Sequence, residues 1–346
     1  MGDSNNSKRP VVPQGLDAHT RQLAVREEVP QGGSPKSRLV FGLIWCFIGS
    51  AFAVSAPVLA NVLIAFGATI AVTNGGTRER VMTLSAALVV GTLCTYLLFG
   101  AYNVPMAIIA IVCGCGIADA YVRDRVNAGS LLLVAASVTW AMMGTDMVST
   151  SLQGTSIAEL ITSEVDAVVE SNVGSLDLDG TAALLEARDS LVSYWPTLYF
   201  AVGLSMVVCS VLGSWLGVRT GGGSSRDLIV RYDVPLWVAE LFALGVAAQL
   251  LGPHLPSWQD EVSIIGANVV MCTRIALAQQ GLSVLQWWTR ERRARWSVRT
   301  LVVMLAVWLE LSFALASVVG LLDVAVNFRH LKRGRPDLLP RPRQEQ

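Results

Sequence analysis

The stretch Val262–Trp288 reads VSIIGANVVMCTRIALAQQGLSVLQWW. It is long and apolar enough to cross a bilayer, which takes about 20 residues of helix. It also carries Asn268, Arg274, Gln279 and Gln280. A charge at mid-bilayer costs at least about 2.5 kcal/mol on insertion scales. Such a helix needs neighbours that satisfy its polar groups. The expected fold is therefore all-α, a polytopic transmembrane helical bundle built around this helix.

Eight more apolar runs fit that class: Leu39–Ala56, Val58–Val72, Met82–Phe99, Val104–Val122, Leu131–Met147, Tyr194–Val218, Val234–Leu251 and Leu301–Leu322. Only 15% of the residues are charged, against about 25% in soluble domains. Pro57 disfavours helix at Ala56, so the first two runs read as a tight hairpin rather than one long helix. Tyr121, Trp195, Trp237, Trp287 and Trp288 sit at segment ends, where aromatic belts form.

Arginine sets the expected orientation. Between Leu39 and Thr300 there are 14 Arg and no Lys. Twelve of them fall in alternate loops, at 78–80, 123–125, 219–231 and 290–299. The positive-inside rule places those loops in the cytoplasm, together with the N-terminal tail. Nine crossings would then leave the C-terminus outside, yet it carries Arg329, Lys332, Arg333, Arg335, Arg341 and Arg343. A fold-back near Gly320, a re-entrant early segment or a failure of the rule would each resolve this. The expectation is thus eight or nine membrane segments in a bacterial inner membrane. Residues 1–38 read as a disordered cytoplasmic tail, 39–328 as the bundle and 329–346 as a basic C-terminal tail.

Gly144–Ser193 carries nine acidic residues and one Arg. Ser156 and Glu159 have the spacing of a capping box. Ile157, Leu160, Ile161, Val165 and Val168 then recur at helical spacing. With a turn near Asn172–Ser175 and a second striped stretch from Leu184, residues 148–193 read as an external helical hairpin over the outer face. Ser175, Asp177, Asp179, Gly180 and Glu186 fit a calcium-loop spacing except that Ser replaces the first Asp. An acidic turn capping the next helix is the competing reading.

The candidate site lies at mid-membrane. Arg274 and Glu310 are about 21 and 15 Å from their cytoplasmic ends at 1.5 Å per residue. Snorkelling of the guanidinium bridges that offset, so the two are expected to pair, with Glu240 as the alternative acid. Asn268, Arg274, Gln280, Glu310 and Glu240 would line a pocket for an anionic or zwitterionic solute. The competing reading is a buried ion pair fixing helix register, with the amides as interhelical glue. Ala267, Arg274 and Gly281 share a face open to a close neighbour. Asp119 and Arg123 have i,i+4 spacing for a local ion pair.

Other chemistries find little footing. No Walker loop, H-E-x-x-H or G-x-S-x-G is present, and Gly114-x-Gly116 lacks the preceding strand of a dinucleotide site. His19, His254 and His330 lie in tails or a short loop. The six cysteines, Cys46, Cys94, Cys113, Cys115, Cys209 and Cys272, all lie in apolar runs and read as small packing residues. The expectation is no enzyme, no cofactor, no metal and no nucleic acid, with membrane lipid as the surrounding partner. The loop Arg290–Arg299 reads as the topology signal or as a contact for anionic headgroups.

Asn268, Gln280-Gly281, Pro235-Leu-Trp237 and Gly320-x-x-Asp323 with Arg329 occur in an order that resembles the YybS-like predicted bacterial membrane proteins, a domain of unknown function. The resemblance covers roughly residues 39–330. It implies a distant relation in fold to the S-components of energy-coupling-factor transporters. It also implies small-solute binding, with a membrane coupling subunit and an ATPase as partners. The alternative function is a non-transporting membrane scaffold or regulatory protein.

Overall fold

The computed structural model describes residues 35–73, 77–173, 178–220, 232–255 and 258–331. Among them are twelve α-helices and no strand. In chain order these are α1 (Pro35–Phe52), α2 (Pro57–Val72), α3 (Thr77–Phe99), α4 (Val104–Val122), α5 (Ala128–Leu152) and α6 (Ile157–Val173). They continue with α7 (Leu178–Ser193), α8 (Trp195–Thr220), α9 (Leu236–Leu251), α10 (Gln259–Glu291), α11 (Trp296–Phe313) and α12 (Leu315–Val326). Seven helices, α3, α4, α5, α8, α9, α10 and α11, are long and apolar enough to cross a membrane; α1, α2 and α12 are apolar but shorter. The chain is an integral, multi-pass helical membrane protein.

Local sequence sets several of these boundaries. Pro57 opens α2 at a position where a missing N–H costs nothing. Asn127 and Ser130 cap α5 reciprocally, Ser130 N–H donating to Asn127 Oδ1 at 2.8 Å. Helix α1 begins at Pro35, so the last four residues of the expected tail, 35–38, are helical; residues 1–34 lie outside the described residues.

The helices form two groups. In the first, α1, α3, α4 and α8 gather around α2, and α5 packs on α8 and α4. Eight of the residues of α2 are buried, including Ala60, Asn61, Ile64, Gly67 and Ala68. Small residues allow this crowding: a Cβ on Gly213 of α8 would sit 2.2 Å from the Val62 carbonyl oxygen. In the second group, α9, α11 and α12 pack on α10, and α10 touches α8 across the seam. The long polar helix is therefore the spine of one group only. The expectation that it centres the whole bundle is corrected: that place in the larger group belongs to α2, the shortest of its helices, whose buried residues are half Ala and Gly, with Ile64, Val72, Asn61 and Thr69.

The last apolar run is also corrected. Leu301–Leu322 is not one span. The chain breaks at Ala314, which takes the left-handed conformation (φ 56°, ψ 25°). Helix α11 runs back along α10, and α12 then turns and runs parallel to it: Ser317 meets Arg274, Gly320 meets Leu277 and Gln280 meets Asp323. The fold-back lies six residues before Gly320. It returns Asn327 and Arg329 to the end of the bundle that holds the arginine-rich connections.

At the opposite end, α6 and α7 pack mainly on each other, with α6 touching α5. Ser156 N–H donates to Glu159 Oε2 at 2.8 Å and Glu159 N–H to Ser156 Oγ at 3.2 Å, the expected capping box. Arg188 of α7 bridges to Asp166 of α6 at 2.6 Å.

Candidate functional site

Helix α10 has 33 residues, about 50 Å of rise, with Arg274 near its middle. Its polar side chains make three separate contacts, at Asn268, Arg274 and Gln280, each about 9 Å further along.

At the hairpin end, Asn268 joins α10 to the start of α8. Thr197 donates to Asn268 Oδ1 from its N–H at 3.2 Å and from Oγ1 at 2.8 Å. Asn268 Nδ2 donates to the Ser193 carbonyl at 3.0 Å. Thr197 N–H is one of the donors that the first turn of a helix leaves without an internal acceptor, and the amide supplies it.

At the centre, Arg274 and Glu310 do pair, Nε to Oε1 at 2.8 Å. The pair serves the helix break. Arg274 Nη2 donates to the Glu310 backbone carbonyl at 2.7 Å, at the C-terminal end of α11. Glu310 Oε2 accepts the Ser317 N–H at 2.8 Å, at the N-terminal end of α12. Ser317 Oγ lies 2.6 Å from Glu310 Oε1 and 3.1 Å from the Arg274 carbonyl. Cation at a C-terminus and anion at an N-terminus each match the helix dipole. A break in hydrocarbon leaves backbone groups that must find partners inside the protein; this pair provides them.

Towards the arginine-rich end, Gln280 is fully buried. Its Oε1 accepts the Val234 N–H at 2.9 Å and its Nε2 donates to Asp323 Oδ2 at 2.7 Å. Arg329 bonds the same Asp323 oxygen through Nη2 at 2.9 Å and the Tyr232 carbonyl at 2.8 Å. Arg329, expected in a basic tail, instead has a side chain that is 0% exposed, as does Asp323. The helices close tightly beside this cluster: a Cβ on Gly281 would lie 1.9 Å from the Ala316 carbonyl oxygen, and one on Gly320 1.9 Å from that of Leu277.

The five sequence-selected residues therefore do not converge. Arg274 and Glu310 come together, whereas Asn268 and Gln280 reach different helices at other depths. Glu240 stands apart. The register of α9 on α10, with Gly245 against Val269 and Val270 and Gly266 against Ala248, puts Glu240 level with Arg274. Its side chain points away, exposed among the exposed Trp237, Leu241 and Leu244. Among the described residues it has no hydrogen-bond or ion-pair partner.

No family model matches this chain, and neither a curated protein nor a solved structure matches it. The site stands on its geometry. Three grooves of about 600, 510 and 240 Å³ are lined by described residues, and none of the five selected residues lines any of them. Among the described residues no cluster of His, Cys, Asp and Glu could hold a metal ion. Ser175 and Asp177 of the calcium-loop reading lie outside the described residues. All six cysteines are free, and Asp119 pairs with Arg123 at 2.8 Å.

Two polar contacts escaped the sequence reading. Ser210 Oγ donates to Asn61 Oδ1 at 3.0 Å, tying α8 to α2. Tyr199 donates to Asp146, tying α8 to α5. Asn61 is the lone amide in an otherwise apolar run, a signal that was present; nothing in sequence ties Asp146 to Tyr199. In the hairpin, Arg188 holds the Asp166 carboxyl below its ordinary range, and the Ser156 N–H does the same for Glu159.

Proposed function

We propose that this protein is a non-catalytic, non-transporting subunit of a membrane assembly, and that Glu240 is where it takes a partner. The observation that carries this is the contrast along one membrane depth. Arg274 and Glu310 are satisfied inside the chain, while the carboxyl of Glu240 faces outward from an apolar stripe. An unpaired carboxylate facing acyl chains costs at least about 2.5 kcal/mol on insertion scales, which a basic partner would remove. The complementary partner is a transmembrane helix carrying Lys or Arg, laid against Trp237, Glu240, Leu241 and Leu244.

The same geometry argues against an S-component-like solute site at these residues. In transporters with broken helices, a half-helix N-terminus at mid-depth faces the anionic substrate group. Here the start of α12 is taken by Glu310 of the same chain. Of the motifs that carry the resemblance to YybS-like proteins, Gln280-Gly281 packs against Gly320, Asp323 and Arg329 in a role that needs no ligand, while Asn268 bonds Thr197 at another depth. On this reading the arginine-rich end faces the cytoplasm of a bacterial cell, the side to which the fold-back at Ala314 returns Arg329.

The test is co-purification in lipid nanodiscs cut directly from native membranes. A stoichiometric partner with a basic residue inside a transmembrane segment is expected, retained by Glu240→Asp and lost by Glu240→Leu. Absence of any partner, or equal retention in both variants, overturns the proposal.

A further inference from the structure

The seam between the two helix groups holds a cleft of about 240 Å³ that none of the contacts above uses. Leu131 of α5 and Leu204 of α8 form apolar walls; Gln279 and Gln286 of α10 and Tyr232 line the rest. Gln279, Ser283 and Gln286 fall on one stripe of α10, facing α8 at the arginine-rich half of the membrane. The Tyr232 hydroxyl oxygen is buried with no hydrogen-bond partner. Among the described residues, the Gln279 and Gln286 carboxamides also have none. Three hydrogen-bonding groups thus meet in a membrane-level cleft, where an unmade bond is costly. Among the described residues no charged side chain lines it.

We infer that this cleft binds an uncharged amphiphile: a head bearing hydrogen-bonding oxygens, carried on an apolar chain. The size agrees, since a cavity of about 150 Å³ holds benzene and this one is about 240 Å³, enough for a fused two-ring head. The carboxamide N–H groups and the phenol O–H donate to the head's oxygens. The chain leaves past Val208, which lies on the same wall and is 47% exposed. A cleft between two packed groups, apolar with a few polar groups of fixed direction, is the usual setting of a small-molecule site. With no charged side chain among its described lining residues, the cleft offers no counter-charge to a phosphate or carboxylate head. A quinone and an isoprenoid alcohol share the required chemistry.

The inference is independent of the contact at Glu240, because the cleft lies on the α8 side of α10. The test uses the purified full chain in nanodiscs of phosphatidylcholine, loaded in separate arms with a decyl naphthoquinone or with farnesol. Retained probe is counted by native mass spectrometry against empty nanodiscs. The expected result is one molecule of at least one probe per chain, with the arms naming the source. Combined Tyr232→Phe and Gln279→Leu should weaken retention about tenfold or more, while Glu240→Leu should leave it unchanged. Leu131→Trp, which fills the cleft and spares its polar groups, should also lose it. Retention of neither probe by the wild-type chain, or equal retention by the wild type and the variants, overturns the inference.

Discussion

Arg274 Nη2 and the backbone carbonyl of Glu310 lie 2.7 Å apart, so the guanidinium closes the end of α11 at the depth where the helix stops. The side chain of Glu310 in turn accepts the Ser317 N–H at the start of α12. One ion pair therefore stabilises both sides of a helix break inside the membrane.

Removing half of that pair should be severe. Arg274→Ala leaves the Glu310 carboxyl without its cation and removes one of the two donors to the Glu310 carbonyl, the other being the Ala314 N–H at 3.0 Å. The pair is partly buried, its side chains 28% and 16% exposed, so a loss of up to about 3 kcal/mol, the low end for breaking a buried pair, is expected, read as a fall in the thermal midpoint in detergent. Arg274→Lys should recover only part, because the ammonium cannot reach the carboxylate and the carbonyl in the fork geometry of a guanidinium. Unchanged stability in Arg274→Ala would show that the break is held by other contacts.

The glycine contact makes a second test. Gly281→Ala and Gly320→Ala each place a methyl 1.9 Å from a backbone oxygen, which α10 and α12 can relieve only by separating. Each should cost about 1–3 kcal/mol or more. Separation would also stretch the Gln280–Asp323 bond, so the two substitutions should couple in a double-mutant cycle. Gly116, with nothing within 4 Å of a built Cβ, is the control: Gly116→Ala should be tolerated.

The hairpin responds to acid. Pairing with Arg188 lowers the Asp166 carboxyl below its unfolded value. The stabilisation is therefore complete above the ordinary carboxylate range and is lost as pH falls through the lowered value. Glu159 behaves in the same way through its bond from Ser156. Proteolysis between α6 and α7 should accelerate as pH drops below about 4, the unfolded value for aspartate. Arg188→Ala should give the faster rate already at neutral pH. Identical rates for wild type and Arg188→Ala at neutral pH would contradict it.

Much of this was legible in sequence, for identifiable reasons. Arg274 and Glu310 could be matched by counting residues from a shared arginine-rich end, and the hairpin announced itself through Ser156 and Glu159. The break at Ala314 was not legible. Alanine carries no turn signal, and what stabilises the left-handed residue is a carboxylate four residues earlier held by a guanidinium from α10. The expected fold-back at Gly320 chose the residue with the conformational freedom, but Gly320 is used for close packing. The central place of α2 was hidden too, because its Ala and Gly residues match the background of the whole chain. Asn268, Gln280 and Arg329 were noticed as polar, but their partners Thr197, Val234 and Tyr232 act largely through backbone groups, which sequence does not distinguish.

The central claim is that the outward face of α9 is covered by another polypeptide at the depth of Glu240. A photoreactive side chain placed at Leu244, which is 64% exposed on that face, reports this directly in native membranes. The expected result is an adduct to a transmembrane segment bearing a basic residue, abolished by Glu240→Leu. Adducts to lipid alone would contradict it.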